Sequence, residues 1–122
     1  MRAKTVFENI EFKRGRDPKR TLGIGKVAQI DQWFEKWAPK VEYKIDDNLN
    51  IYVYGNLNLR NTNVTSLPDN LKVNSNLVLD NTKKLTSLPN NLKVDDHLFL
   101  RNTNITSLPD DLEVKRNIFK DF

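Results

Sequence analysis

Arg60, Asp80, Arg101 and Asp121 recur at intervals of 20 or 21 residues, cation and anion in turn. A repeat of this length places such residues side by side when each interval closes one coil of a stack. Two residues before them stand Asn58, Val78, Phe99 and Phe119, and four before them Asn56, Asn76, His97 and Asn117. The chemistry on offer is charge pairing beside an apolar and aromatic stripe. Such surfaces recognise a partner rather than make bonds. The alternating charges have a plainer use as a self-satisfied ladder, worth about 0–1 kcal/mol per exposed pair. Arg60, Val78, Asp80, His97, Phe99, Arg101 and Phe119 are the expected partner-binding residues.

Other chemistries find little support. The chain has no cysteine and a single histidine, His97. That removes disulfides and thiolate sites, and leaves no second soft ligand for a transition metal. Asp46-Asp47, Asp95-Asp96 and Asp110-Asp111 are acid pairs in turns, without the glycine-containing, oxygen-rich loop of a tuned calcium site. Gly23-Ile24-Gly25-Lys26 falls short of a phosphate loop, with Arg20 where the first glycine belongs and Val27 where Ser or Thr is needed. Asn63-Val64-Thr65 and Asn104-Ile105-Thr106 match glycosylation sequons as by-products of the repeat. No catalytic residue, metal or cofactor is expected, and the chain reads as non-enzymatic.

Charge is unevenly distributed. Residues 1–44 hold 11 Lys and Arg against 6 Asp and Glu, whereas residues 45–122 hold 9 against 10. Lys13, Arg14, Arg16, Lys19, Arg20 and Lys26 cluster, with only Asp17 opposed. This basic segment is a second candidate site, suited to non-specific contacts with nucleic acid phosphates. No sequence-reading motif accompanies it.

The elements that would position these residues come from the repeat. Leu57, Leu77, Leu98 and Ile118 share one column, and Leu59, Leu79 and Leu100 another, two residues on. Alternation with period two predicts one short strand per repeat, and stacked copies form a parallel sheet. Thr62, Thr82 and Thr103 fall in a turn, where a hydroxyl could serve backbone groups of the neighbouring coil. Val64, Leu85 and Ile105 return inside. Leu67-Pro68, Leu88-Pro89 and Leu108-Pro109 predict an extended segment, because proline fixes its own φ and turns the preceding residue away from helix. Leu71 and Val73, with their counterparts Leu92, Val94, Leu112 and Val114, close the coil. The second copy carries one extra residue at Lys83-Lys84, predicted to lie exposed in a turn.

The pattern Leu-x-Leu-x-x-Thr-x-Val/Ile-x-x-Leu-Pro-x-x-Leu resembles leucine-rich repeats, with Thr where Asn is more usual. The short period and the Leu-Pro segment resemble the bacterial and bacteriophage subtype, covering residues 57–122. The resemblance implies a non-enzymatic module that binds a host or phage protein through its concave sheet face, in the host cytoplasm or in a virion. Bacterial effectors of this family add a ubiquitin-ligase domain, for which this chain has neither the length nor a cysteine. The stretch from Phe7 to Gly25 also resembles leaders of phage reading frames.

The expected fold is α+β: a short leucine-rich-repeat solenoid with a parallel sheet, an extended convex side and a helical N-terminal cap. Residues 1–44 form the basic cap and residues 45–122 the solenoid, with a degenerate first coil or hairpin, three full repeats and a truncated one. Asp17, Pro18 and Gly23 predict the N-cap, first position and stop of a short helical turn. A second helix is expected from about Lys26 to Trp37, with Val27, Ile30, Trp33, Phe34 and Trp37 on one face and Ala38-Pro39 ending it. That face would close the open end of the solenoid core. The far end ends in strand residues, and an exposed strand edge invites pairing. Ile118, Phe119 and Phe122 are the expected contacts of a homodimer there, or of a virion assembly. No apolar run approaches the length of a membrane span and no apolar core follows the basic N-terminus, so a soluble intracellular protein is expected.

Overall fold

The computed structural model describes residues 21–122, with side-chain surroundings from Gly25 onward. One helix, α1 (Thr21–Trp37), precedes nine short strands: β1 (Glu42–Ile45), β2 (Ile51–Tyr54), β3 (Leu57–Asn58), β4 (Leu71–Val73), β5 (Leu77–Val78), β6 (Lys93–Val94), β7 (Leu98–Phe99), β8 (Glu113–Val114) and β9 (Ile118–Phe119). They form two sheets, ordered β1-β2-β4-β6-β8 and β3-β5-β7-β9. All pairings are parallel except β1 with β2, an antiparallel hairpin. The described residues form a parallel-sheet solenoid of about three turns with one helix.

Each turn uses two strands, not the single one that the leucine alternation predicts. The closing segments at Leu71–Val73, Lys93–Val94 and Glu113–Val114 build a full second sheet. Their backbones stack in register because the step from Val73 to Leu77 is the same in every turn, so both strand positions align together. Between the strands run the extended Thr-Ser-Leu-Pro segments, outside any sheet.

The interior is a stack of apolar columns. Leu57, Leu77 and Leu98 are fully buried, as are Leu59, Leu79 and Leu100, and Leu71 and Leu92. Val64, Leu85 and Ile105 point inward as their spacing predicts. Each such side chain contributes roughly 1.5–3 kcal/mol, gained only when neighbouring coils cover it. The threonines serve their own coil rather than the neighbour. The hydroxyls of Thr62, Thr82 and Thr103 donate to the carbonyls of Leu59, Leu79 and Leu100, at 2.7, 2.6 and 3.3 Å. A hydroxyl reaches the carbonyl three residues back more readily than one in the next strand. Lys83 and Lys84 are exposed as expected.

α1 ends where Ala38-Pro39 predicts, and the Ala38 N–H closes on the Phe34 carbonyl at 2.8 Å. Its start differs from the expected one. The helix runs through Gly23 and Gly25 instead of stopping at Gly23. Two interior glycines cost about 1 kcal/mol each, a penalty offset further along by packing. Phe34 is buried, and its ring stacks on Tyr43 of β1 with centroids 3.9 Å apart. Trp33 meets Phe34 edge-on and donates its indole N–H to the Ser66 carbonyl at 2.9 Å. Asp17 and Pro18 lie outside the described residues. The boundary expected between residues 44 and 45 falls inside β1.

The turn between β1 and β2 is held by Asp46. Its carboxylate accepts the N–H groups of Asn48 and Asn50, both at 2.9 Å, the Asn50 side-chain amide at 3.1 Å and the Tyr52 hydroxyl at 3.3 Å. Burial works against ionisation of Asp46. The hydrogen bonds from Asn50, Asn48 and Tyr52 outweigh it and hold the carboxyl below the usual carboxylate range. A depressed native pKa contributes stability above the unfolded value, about 3.9, and the contribution is lost as pH falls through the native value. The stability gap between the wild type and Asp46→Asn should therefore shrink as pH falls below about 4 in acid-unfolding curves.

Two glycines give opposite expectations. At Gly25 a Cβ meets nothing within 4 Å and φ is ordinary, whereas Gly55, between β2 and β3, holds φ at +100°. Gly25→Ala should stabilise the chain by about 0.5–1 kcal/mol in denaturant melts. Gly55→Ala should destabilise it by about 1 kcal/mol or more, because an L side chain rarely adopts that φ.

Candidate functional site: the outward face of the second sheet

The inward residues of β3, β5, β7 and β9, Leu57, Leu77, Leu98 and Ile118, turn the residues that follow them outward. In register, Asn58 lies beside Val78, Val78 beside Phe99, and Phe99 beside Phe119. Val78, Phe99 and Phe119 are half-buried, not sealed in the core. The Phe99 and Phe119 rings stack with centroids 4.9 Å apart and planes 13° from parallel. His97 lies 6.1 Å from the Phe99 ring and 5.6 Å from the Phe119 ring. The Arg101 guanidinium stands 6.0 and 5.8 Å from the same two rings, within reach of a cation–π contact. Four of the seven expected partner-binding residues thus form one cluster: His97, Phe99, Arg101 and Phe119. Val78 and Asp80 border it. Arg60 lies farther along the face, exposed, and no ion pair among the described residues joins it to Asp80.

The alternating charges form one rung, not a continuous ladder. Arg101 meets Asp80 at 3.4 Å with its own side chain about half exposed, so the pair contributes at most about 1 kcal/mol. The carboxylates mainly hold backbone. Asp80 accepts the Arg101 N–H at 2.8 Å, and Asp121 accepts the Asn102 N–H at 3.1 Å. The column before them does the same. Asn56 accepts the Asn76 N–H at 2.9 Å, Asn76 the His97 N–H at 3.0 Å, and His97 Nδ1 the Asn117 N–H at 3.3 Å. That bond assigns the neutral His97 proton to Nε2, which faces Asp96 at 3.5 Å. His97 is therefore a rung of the backbone ladder as well as a wall of the aromatic cluster.

A further set of residues was missed by spacing alone. Asn61, Asn81 and Asn102 have φ near +62°, as do Asn70 and Asn91. Asparagine tolerates this left-handed backbone better than most residues. Their side-chain amides also bond from coil to coil: Asn81 to Asn61 and Asn91 to Asn70, each at 2.8 Å, and Asn102 to Asn81. The signal was visible as an asparagine in every repeat at the residue before the threonine. Asn81→Gly, which keeps the backbone and loses the amide, should cost less than Asn81→Ala, which also strains φ by about 1–2 kcal/mol. Denaturant midpoints of the two variants measure the difference.

Of the basic segment, Lys13, Arg14, Arg16, Lys19 and Arg20 lie outside the described residues. Lys26 is exposed on α1 and lines a groove of about 280 Å³ between the helix and the first turn, with Trp33, Pro68 and Asp69 on its walls. It is not part of the aromatic cluster. Of the expected self-association residues, Ile118 and Phe119 form β9 and are half-buried, and Phe122 is 40% exposed. Among the described residues, no group of three or more His, Cys, Asp or Glu side chains could hold a metal ion. Nor is any helix long and apolar enough to cross a membrane. No family model, curated protein or solved structure matches the chain.

Proposed function

We propose that the chain is a non-enzymatic protein-interaction module of the leucine-rich-repeat type, binding a partner protein through the outward face of β5, β7 and β9. The observation that carries this reading is the Phe99–Phe119 stack with Arg101 and His97 against it. Aromatic rings and arginine, half-exposed and framed by polar residues, are the usual makeup of a binding hot spot. A protein partner is favoured over nucleic acid because the face balances Arg60 and Arg101 with Asp80 and Asp121, and so offers no net positive field. In this reading α1 is the N-terminal cap of the solenoid: Phe34 and Ala38 join the same core as the repeat leucines, and Trp33 and Trp37 cover its margin. A phage origin and a host-cell partner are what the repeat resemblance implies.

Affinity capture from bacterial lysate tests the proposal. The wild-type chain should retain a stoichiometric protein band that survives nuclease. Phe99→Asp should lose that band while keeping its circular dichroism spectrum, and Lys84→Glu, on an exposed turn, should keep it. Retention by Phe99→Asp, or disappearance with nuclease, would overturn the reading.

A further inference from the structure

One column of the outward face carries a rung that a proton can break. Asn56 accepts the Asn76 N–H at 2.9 Å and Asn76 accepts the His97 N–H at 3.0 Å, each through its side-chain carbonyl. The third rung has the same place, yet its acceptor is Nδ1 of His97, 3.3 Å from the Asn117 N–H. An amide oxygen keeps its lone pairs at any ordinary pH. A neutral imidazole has one acceptor nitrogen and loses it on taking a second proton. Histidine is the side chain that makes this change between about pH 5 and pH 8. The surroundings hold charges of both signs. Nε2 faces the Asp96 carboxylate at 3.5 Å, and Arg116 reaches the same oxygen at 3.5 Å. Beside them Lys115 meets Asp95 at 3.7 Å. Across the Phe99 and Phe119 rings stands the Arg101 guanidinium, paired with Asp80 at 3.4 Å. Asp96 favours an imidazolium, whereas Arg101 and Arg116 oppose it. Loss of the rung does not depend on that balance. The second proton takes the lone pair that the Asn117 N–H uses, and two donors would then face each other.

We propose that His97 is a proton-sensitive latch between two turns. Neutral, it holds the Asn117 N–H of the next turn; protonated, it releases that N–H and shifts toward Asp96. The change stays local. The Leu98 and Leu100 N–H groups donate to the carbonyls of Asn117 and Phe119 at 2.9 and 2.7 Å, and these bonds between β7 and β9 involve no titrating group. The change still reaches the aromatic cluster, because the His97 ring lies 5.6 Å from the Phe119 ring and 6.1 Å from the Phe99 ring. A ring drawn toward Asp96 takes away one wall of the face proposed above for a partner. Acid thus loosens that face without unfolding the coil. The latch adds regulation to that reading, but its test needs only the chain itself, so the two fail separately.

The test follows solvent exchange of the Asn117 backbone amide by nuclear magnetic resonance in the full chain. Rates are taken at about pH 8 and about pH 5, each divided by the intrinsic rate at that pH. On this corrected scale wild-type Asn117 should exchange about fivefold faster at the lower pH, the scale of one hydrogen bond. The His97 amide, held by Asn76, should not change. His97→Asn installs the acceptor used in the two preceding rungs and should protect Asn117 equally at both values. His97→Phe, a ring without an acceptor, should leave Asn117 unprotected at both. Equal corrected exchange of wild-type Asn117 at the two values would overturn the proposal. So would the same acid loss in His97→Asn, which would assign it to the carboxylates, or a His97 amide that loosens in step with Asn117, which would mean that the whole stack loosens. Slow exchange of Asn117 in His97→Phe at the higher pH would also sink it, since the rung would then not be the imidazole's.

Discussion

Everything in this molecule depends on the hydrogen-bonded register between successive turns. The N–H groups of Leu57, Leu77 and Leu98 each donate to the carbonyl of the residue before the matching position one turn on, at 2.9–3.0 Å. In the second sheet Ile51 and Asn70 donate forward to the carbonyls of Asn70 and Asn90, and Asn74, Asp95 and Lys115 donate back to Val53, Val73 and Val94. The two sets together lock each turn from both sides. A one-residue slip would exchange inward leucines for outward polar residues along the whole stack. The apolar columns supply the free energy, and the register decides that they are columns.

The outward chemistry is subordinate to that register. Asp80, Asp121, Asn56, Asn76 and His97 all spend acceptor atoms on backbone N–H groups of an adjacent turn. A turn has N–H groups that its short strands leave unpaired, and side chains on the next rung are the nearest acceptors. The extra residue of the second repeat obeys the same constraint. It bulges at Lys83, whose carbonyl takes the Asn104 side-chain amide at 2.5 Å, while Thr82 stays buried on the Leu79 carbonyl. The insertion is absorbed locally, and Leu85 still reaches the core.

Legibility from sequence followed the same division. The leucine columns, the inward return at Val64, Leu85 and Ile105, the amphipathic face of α1 and the outward stripe at Val78, Phe99 and Phe119 were all readable. Each rests on a period, and a period survives without coordinates. The second sheet was not readable, because Leu-x-Val in the middle of a coil looks the same whether its backbone pairs or merely turns. The roles of asparagine and aspartate were hidden for a related reason. The residue type announces a turn, but only the stacked geometry shows which N–H in which turn it accepts. The alternating signs at Arg60, Asp80, Arg101 and Asp121 suggested a ladder of ion pairs, and only Asp80 with Arg101 forms one. Long exposed side chains gain too little from such pairs to be held in place, whereas a short carboxylate beside a free N–H is held.

The first and last described turns of the stack differ in the side chains that pack there. At the first turns, Phe34, Trp33 and Tyr43, carried on α1 and β1, pack with one another and with the repeat leucines. At the last turn the columns run out half-covered, and the inward register changes from leucine to lysine. The Lys120 ammonium lies near the Phe122 ring at 4.7 Å and bonds the Phe122 carbonyl. The aromatic cluster formed by Phe99 and Phe119 sits on the last two described turns. The stacked rings and the less deeply buried part of the core, at Leu112, Val114 and Ile118, therefore share the same turns.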